Sequence, residues 1–357
     1  MHVLAFGTYQ RDYPRNAQVR SCLRRAGVVV TEKHVDLWDG RREAWTIGVT
    51  ALRRVVAAEL RLAAAPRSPA DALLVGYPGH VDLLAARIAA RGRPIVFDPL
   101  VSLHDTLVAD RGRFAAGSPA ARALLHLDRR ALAAADLVVA DTEANGRFYV
   151  EQLGVDPARL RVCLVGAEDD VFHPGTPNDV SFHAVFVGKL IPLHGLETIL
   201  AAARLAPEVP FRIVGSGQLE PLLADAPANV EHVPWVDYGA LPDELRAAGC
   251  ALGVFGASEK AARVIPNKAF QALACAVPLV TADTPAAREL LTDGVDSILV
   301  PRGDPAALAA AVRRLDADPA LRRSIGGAGR ATYDNRAAED VLGRRWRAIF
   351  EDLVGRR

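Results

Sequence analysis

Short apolar, β-branched runs alternate with alanine- and leucine-rich amphipathic stretches from one end of the chain to the other. That alternation reads as strands followed by helices. In the first half it predicts strands over 2–7, 27–35, 72–77, 94–98, 137–142 and 161–166, with helices over 17–26, 50–64, 81–91 and 118–135. A second series predicts strands over 183–188, 211–215, 230–236, 251–255, 279–283 and 297–300. Its helices fall near 196–205, 241–248, 267–276, 286–291, 305–315 and 319–331. Such alternation builds parallel sheets covered on both faces. The fold class is therefore α/β, with two doubly wound domains over 1–174 and 180–336. The joint is expected at 173–179 (HPGTPND), where two prolines and a glycine interrupt the pattern. A last amphipathic stretch, about 337–357, has no strand after it and is expected to pack back on the first domain.

Composition narrows the function classes. With 357 residues the chain can bury two cores, and a net charge of +1 gives no global attraction to nucleic acid or to anionic membranes. Cys22, Cys163, Cys250 and Cys275 form no CxxC pair, so neither a zinc site nor a disulfide framework is expected, and a cytoplasmic location fits best. The N-terminal apolar run is too short for a signal peptide, and no window has the length of a membrane span. Almost every basic residue is arginine, the only lysines being Lys33, Lys189, Lys260 and Lys268. The bias fits a GC-rich coding sequence, yet three of the lysines fall beside segments that look like phosphate sites, where a compact point charge is suited.

In open parallel sheets ligands bind outside the carboxyl ends of the strands. With two such domains facing a central cleft, that cleft is the expected site. The first loop carries Gly7, Thr8, Arg11, Tyr13, Arg15 and Asn16. A glycine at a strand end followed by a helix start favours an anion. The loop lacks the GxGxxG fingerprint of dinucleotide sites, and a solvated loop capped by Asp12 or Asn16 is the alternative. His80, His104, Asp105 and Asp98 lie at or just past later strand ends, as substrate contacts or as scaffold. Glu168-Asp169-Asp170 reads as an exposed turn rather than a metal site.

The second half is richer. Strand HAVFVG ends at Gly188-Lys189, and Pro192-Leu193-His194-Gly195 opens a helix, which places two basic groups near a helix N-terminus. Gly215-Ser216-Gly217 is a second close-approach turn. Trp235 and Val236 offer a flat ring and backbone groups for a base, or core packing. Ile265-Pro266-Asn267-Lys268 reads as a helix start able to receive phosphate oxygens. Glu259, Lys260 and Arg263 precede it in a loop, and Gln271 one turn later can hold ribose hydroxyls.

These segments, in this order, resemble the retaining GT-B glycosyltransferases of glycosyltransferase family 4. The match runs through Phe186-Val187-Gly188-Lys189-Leu190, His194-Gly195, Val214-Gly215-Ser216-Gly217, 266–278 and 294–301. In the first half it takes in 135–145 and 165–174, so it spans most of the chain. The resemblance implies a GT-B fold of two Rossmann-like domains, a nucleotide-diphosphate sugar held by the C-terminal domain and an acceptor by the N-terminal one. The family's Arg–Lys phosphate pair maps to Lys189 and His194, and its two glutamates, eight positions apart, map to Arg263 and Gln271. Arg263 would then neutralise phosphate while Glu259 contacts the sugar.

The resulting expectation is metal-independent, cofactor-free glycosyl transfer with retention, in bacterial natural-product or cell-envelope glycan synthesis. Lys189, Arg263, Asp98 and Glu259 are the candidate catalytic residues, with the leaving phosphate taking the acceptor proton. Closure of the two domains is expected to bring the Gly7 loop onto the donor. The partners expected are a nucleotide-sugar donor and a small-molecule or glycan acceptor, not nucleic acid. A nucleotide-sugar epimerase or hydrolase, or a non-catalytic binding protein, are the alternatives. Arg20, Arg24 and Arg25, or Arg53 and Arg54, could give a helix a membrane-binding face, although a solvated face is favoured.

Overall fold

The computed structural model describes residues 1–37, 49–64, 66, 68–175 and 181–355; positions 176–179 of the expected joint lie outside them. The chain forms two units, Met1–Leu164 with Leu342–Arg357, and Val165–Val341.

The first unit alternates β1 (His2–Gly7), α1 (Pro14–Arg25), β2 (Val29–His34), α2 (Val49–Ala63), β3 (Ala72–Val75), α3 (Leu83–Ala90), β4 (Ile95–Phe97), α4 (Pro119–Ala134), β5 (Leu137–Ala140), α5 (Glu143–Glu151) and β6 (Leu160–Val162). A π-helical turn, Asp105–Asp110, sits between β4 and α4. The strands pair in parallel in the order β2-β1-β3-β4-β5-β6. Strands β2 to β6 come out shorter than their predicted runs because end residues leave the ladder to start loops, while β1 keeps its whole run. Helix α1 starts earlier than its apolar period because Pro14, with its fixed φ and no N–H to lose, suits a first turn.

The second unit carries β7 (Ala184–Val187), α6 (Leu196–Leu205), β8 (Phe211–Val214), β9 (Val230–Val233), α7 (Leu241–Arg246), β10 (Cys250–Leu252), α8 (Glu259–Arg263), α9 (Asn267–Ala274), β11 (Leu279–Ala282), β12 (Ile298–Val300), α10 (Pro305–Ala317) and α11 (Pro319–Arg336). Its parallel sheet has the order β12-β11-β10-β7-β8-β9. Two readings change here. Residues 259–263 form a short helix rather than a loop, because Ser258 accepts from the Ala261 amide and caps it. Residues 286–291 yield only the 3₁₀ turn Ala287–Glu289.

Hydrophobic residues fill both faces of the first sheet. Leu62 of α2, Leu83 and Ala86 of α3, Leu132 of α4 and Tyr149 of α5 pack on one face. On the other, Val19, Cys22 and Leu23 of α1 meet Leu342, Trp346 and Phe350 of α12 (Glu339–Gly355). The second unit buries Phe186, Ile199, Phe211, Phe255 and Leu308 in its own core.

Candidate functional site

In the second sheet the chain turns outward in opposite directions from the neighbours β7 and β10. The crevice at such a reversal is where open α/β sheets accept ligands. Gly188 ends the strand there at φ 150° and Gly215 sits beside it at φ 136°. A Cβ on Gly215 would lie 2.0 Å from the Gly188 carbonyl oxygen, so these two turns meet only because both lack side chains. Phe186 lies beneath: the Lys268 Nζ stands 3.8 Å from its ring centroid, and the His194 ring meets it edge-on at 5.6 Å. The two basic groups flank Gly188, whose added Cβ would come within 2.7 Å of Lys268 Nζ and 3.5 Å of His194 Cε1. His194 Nδ1–H donates to the Lys189 carbonyl, which turns Nε2 away from that bond.

Lys268 is 7% exposed, and its Nζ is buried without a hydrogen-bond partner. Burial holds its pKa well below the usual lysine value. Two helix starts open on the same residues. Helix α6 begins after His194 at Gly195, and α9 begins at Asn267 after Pro266; neither has a side-chain cap. Asn267 is thus the first helical residue, preceded by Pro266. Uncapped first-turn N–H groups, the positive helix ends and a buried ammonium together favour an anion with several oxygens.

The remaining predicted donor residues are spread around this core. Lys189 is exposed, and Gly217 packs against the Leu190 backbone. Gln271 is buried and hydrogen-bonds Tyr238. The Tyr238 hydroxyl in turn donates to Glu168 at 2.9 Å while its ring meets Phe172. Burial and the Glu168 charge push the Tyr238 pKa up. Lys260 is buried and Arg263 half-buried at the end of α8. Glu259 points outward, 81% exposed at its side chain, to an ion pair with Arg302 at 3.6 Å. Trp235 is 58% exposed, which removes the core-packing alternative, and its Nε1–H donates to Asp237. Val236 is half-buried beside it. Ile265 and Pro266 line a cavity with Thr281 and Thr284 that has room for about one water.

In the first sheet the reversal lies between β1 and β3. Asn16 ties its two loops together, donating to the Gln10 and Tyr77 carbonyls and accepting from the Tyr77 amide. Gly7 abuts Asp82, which accepts from both the amide (2.7 Å) and the hydroxyl (2.8 Å) of Thr8. The Tyr13 ring packs on Tyr77 at 4.7 Å. Arg15 and Asp98 are a buried ion pair at 2.8 Å; Arg15 also donates to the Cys163 and Leu164 carbonyls and lies over Trp346. His80 is buried 3.4 Å from Asp128 and edge-on to Phe97, and burial lowers its pKa. The amide of His104 also bonds Asp128, and Asp105 is 9% exposed. Arg11 stands apart with Glu32 on β2.

The structure thus gathers Thr8, Tyr13, Asn16 and the loop after β3, while fixing Arg15 and Asp98 to each other. It adds Tyr238, Asp82, Asp128 and Asp141, and it puts the ring of Phe186, so far only part of a matching segment, beneath Lys268. Burial pushes the Asp141 pKa up to about 6, against an opposing hydrogen bond from Asn145 and the charge of Arg15. Asp82 sits in the apolar stretch VDLLAA and Asp141 follows the apolar run LVVA, which was the available signal; Asp128, directly before Arg129 and Arg130, offered none.

Residues 181–318 match the family model of Glycosyl transferases group 1. A D-inositol 3-phosphate glycosyltransferase of Geodermatophilus obscurus is 32% identical over 272 residues, covering 66% of this chain and 59% of that protein. One from Kineococcus radiotolerans is 31% identical over 295 residues, 71% and 64% of the two chains. The chain therefore spans less than two thirds of the length of these curated relatives. Among solved structures, a sucrose-phosphate synthase from Thermosynechococcus elongatus superposes with TM-score 0.77 at 16% identity, over 100% of this chain and 99% of that one. Anabaena HepE in complex with UDP-glucose gives 0.70 at 15% identity, over 99% and 100%. These likenesses show a GT-B fold.

Proposed function

We propose that this chain, which carries a Glycosyl transferases group 1 domain at residues 181–318 on a GT-B fold, transfers a hexosyl unit from a nucleotide-diphosphate sugar to an acceptor hydroxyl, with retention and without a metal ion. The observation that carries the reading is the buried, unpartnered ammonium of Lys268 between a glycine turn and two uncapped helix starts. A donor diphosphate supplies the acceptors that this ammonium lacks. Lys268, Lys189, His194 and the N–H groups of α6 and α9 would hold the developing charge as the bond between the anomeric carbon and the phosphate oxygen breaks. Arg263, at the end of α8, is a further source of positive charge. The acceptor oxygen forms the new bond on the same face, and its proton passes to the leaving phosphate. Gln271, one turn into α9 and hydrogen-bonded to Tyr238, would hold ribose hydroxyls. Trp235 offers an exposed ring for the base.

Loops of the first unit would recruit the acceptor through Tyr13, Tyr77 and His104, with Arg15 and Asp98 holding the loops in register. HepE was solved with UDP-glucose, and the curated relatives are named for D-inositol 3-phosphate, so these head the donor and acceptor trials. Thermal shifts with UDP, GDP, ADP and TDP are expected to reveal one stabilising nucleotide; no shift with any of them removes the donor site. Lys189→Ala is expected to abolish turnover with the fold intact, and full activity would remove Lys189 from the mechanism. A second reading, nucleotide-sugar binding without transfer, is favoured by Arg263 and Gln271 where the family has glutamates, and by the outward ion pair of Glu259. Product formation from any acceptor rejects it.

A further inference from the structure

The helices covering one face of the first sheet have an unusual outer surface. Their inner sides are already satisfied: Ala58 and Leu62 of α2, Leu83 and Ala86 of α3, and Ala131 and Leu132 of α4 are buried. Yet α2 also turns Val56 and Leu60 outward, 50% and 66% exposed, and α3 turns out Leu84 and Ile88, 74% and 56% exposed. Each pair is spaced i, i+4, so each forms a stripe on the outside of its helix. Helices α2 and α3 are neighbours, as are α3 and α4.

The charges on these helices are equally one-sided. Arg53, Arg54 and Arg61 of α2 and Arg122, Arg129 and Arg130 of α4 are exposed. The acidic residues of the same helices turn away: Asp128 is fully buried, and the carboxylate oxygens of the half-buried Glu59 are shut off from solvent, where burial and the neighbouring Asp82 push its pKa up to about 9. A net charge of only +1 on the whole chain makes this face a local basic pole rather than part of a general excess.

We propose that the outer face of α2, α3 and α4 is a docking surface for an anionic phospholipid bilayer. Apolar stripes flanked by arginines suit such a surface, the side chains entering the acyl boundary while guanidinium groups meet headgroup phosphates. A second copy of the chain is a poorer occupant, because two such faces would oppose arginine to arginine. A solvated face explains the arginines but not four large apolar side chains in open water. Among the described residues no helix is long and apolar enough to cross a membrane. The two arginines of α1 that face β2, Arg20 and Arg24, are drawn to Glu32 and lie outside this surface.

The test is co-sedimentation of the full chain with vesicles of phosphatidylglycerol and phosphatidylcholine, against phosphatidylcholine alone. Binding is expected only to the anionic vesicles, and to weaken in high salt. Leu60→Gln/Leu84→Gln/Ile88→Gln should lose binding at least tenfold. Arg53→Gln/Arg54→Gln/Arg61→Gln should lose about a hundredfold, about fivefold for each arginine. Both variants alter exposed positions and should keep the wild-type Tm and nucleotide affinity, which separates this outcome from a failure of the donor site. Equal sedimentation with both vesicle types, no binding, or full retention by either variant overturns the proposal. So does concentration-dependent dimerisation abolished by the leucine variant, which would assign the face to a second copy.

Discussion

A lysine ammonium that is buried, stacked on a ring and without a hydrogen-bond acceptor destabilises the protein that holds it. Lys268 is therefore expected to favour binding at the cost of fold stability. Lys268→Met keeps the apolar stem, and should raise the Tm of the empty protein by about 2–4 °C. It should also weaken nucleotide-diphosphate binding about 10–100-fold, the loss of a charge-assisted hydrogen bond. Because burial lowers the Lys268 pKa while a bound diphosphate favours the charged form, binding should take up a proton. Affinity should then fall as pH rises above the lowered value of the free protein, and the Met variant should show a flatter profile. Calorimetry in buffers of different ionisation enthalpy measures this directly; no proton uptake, or a variant with lower Tm and unchanged affinity, contradicts the assignment. The sequence placed Lys268 near phosphate, but it gave no sign of the ring beneath. Phe186 reads as an ordinary core position of a strand. Asp98 shows the opposite limit. It reads as a strand-end carboxylate open to substrate, and its partner Arg15 lies 83 positions earlier, a pairing that spacing along the chain does not reveal.

At the scale of elements, strands announced themselves because period-2 or continuous apolar runs between glycines and prolines have few other uses. Among the described residues, all twelve strands fall within or one residue beyond the predicted segments. Short turns were harder, because their stability comes from single caps and backbone bonds rather than a repeating face. The helix Glu259–Arg263 is an example: its five residues rest on one serine. The contact of the Gly188 and Gly215 turns belongs to this scale too. Gly215→Ala should cost about 1–3 kcal/mol for the positive φ alone, and more for the overlap with the Gly188 carbonyl. Urea unfolding should show the loss, and the nucleotide thermal shift should shrink with it. An unchanged midpoint would mean the two turns can part without consequence.

At the scale of the molecule, one unit is continuous and the other is not. Residues 165–341 close their own sheet and core, so this segment expressed alone is expected to unfold cooperatively. The first unit needs α12, whose Trp346 is fully buried against Arg15 and Phe350. Trp346→Ala should destabilise that unit by about 3–5 kcal/mol, the usual loss for a large aromatic in a core. A calorimetric scan should show one transition lowered and the other unmoved; two unmoved transitions would mean α12 adds little to the first core.

That last helix also sets an order in time. Synthesis delivers the second unit whole once residue 341 has emerged, while the first sheet, made earlier, still lacks part of its cover. The unit begun first is thus the one finished last. During translation the apolar side of Val3, Val96 and Val139 is only partly sheltered until Trp346 and Phe350 arrive. A nascent chain halted between the two points would present that bare side to chaperones and proteases, and release of the final turns of α12 would withdraw it.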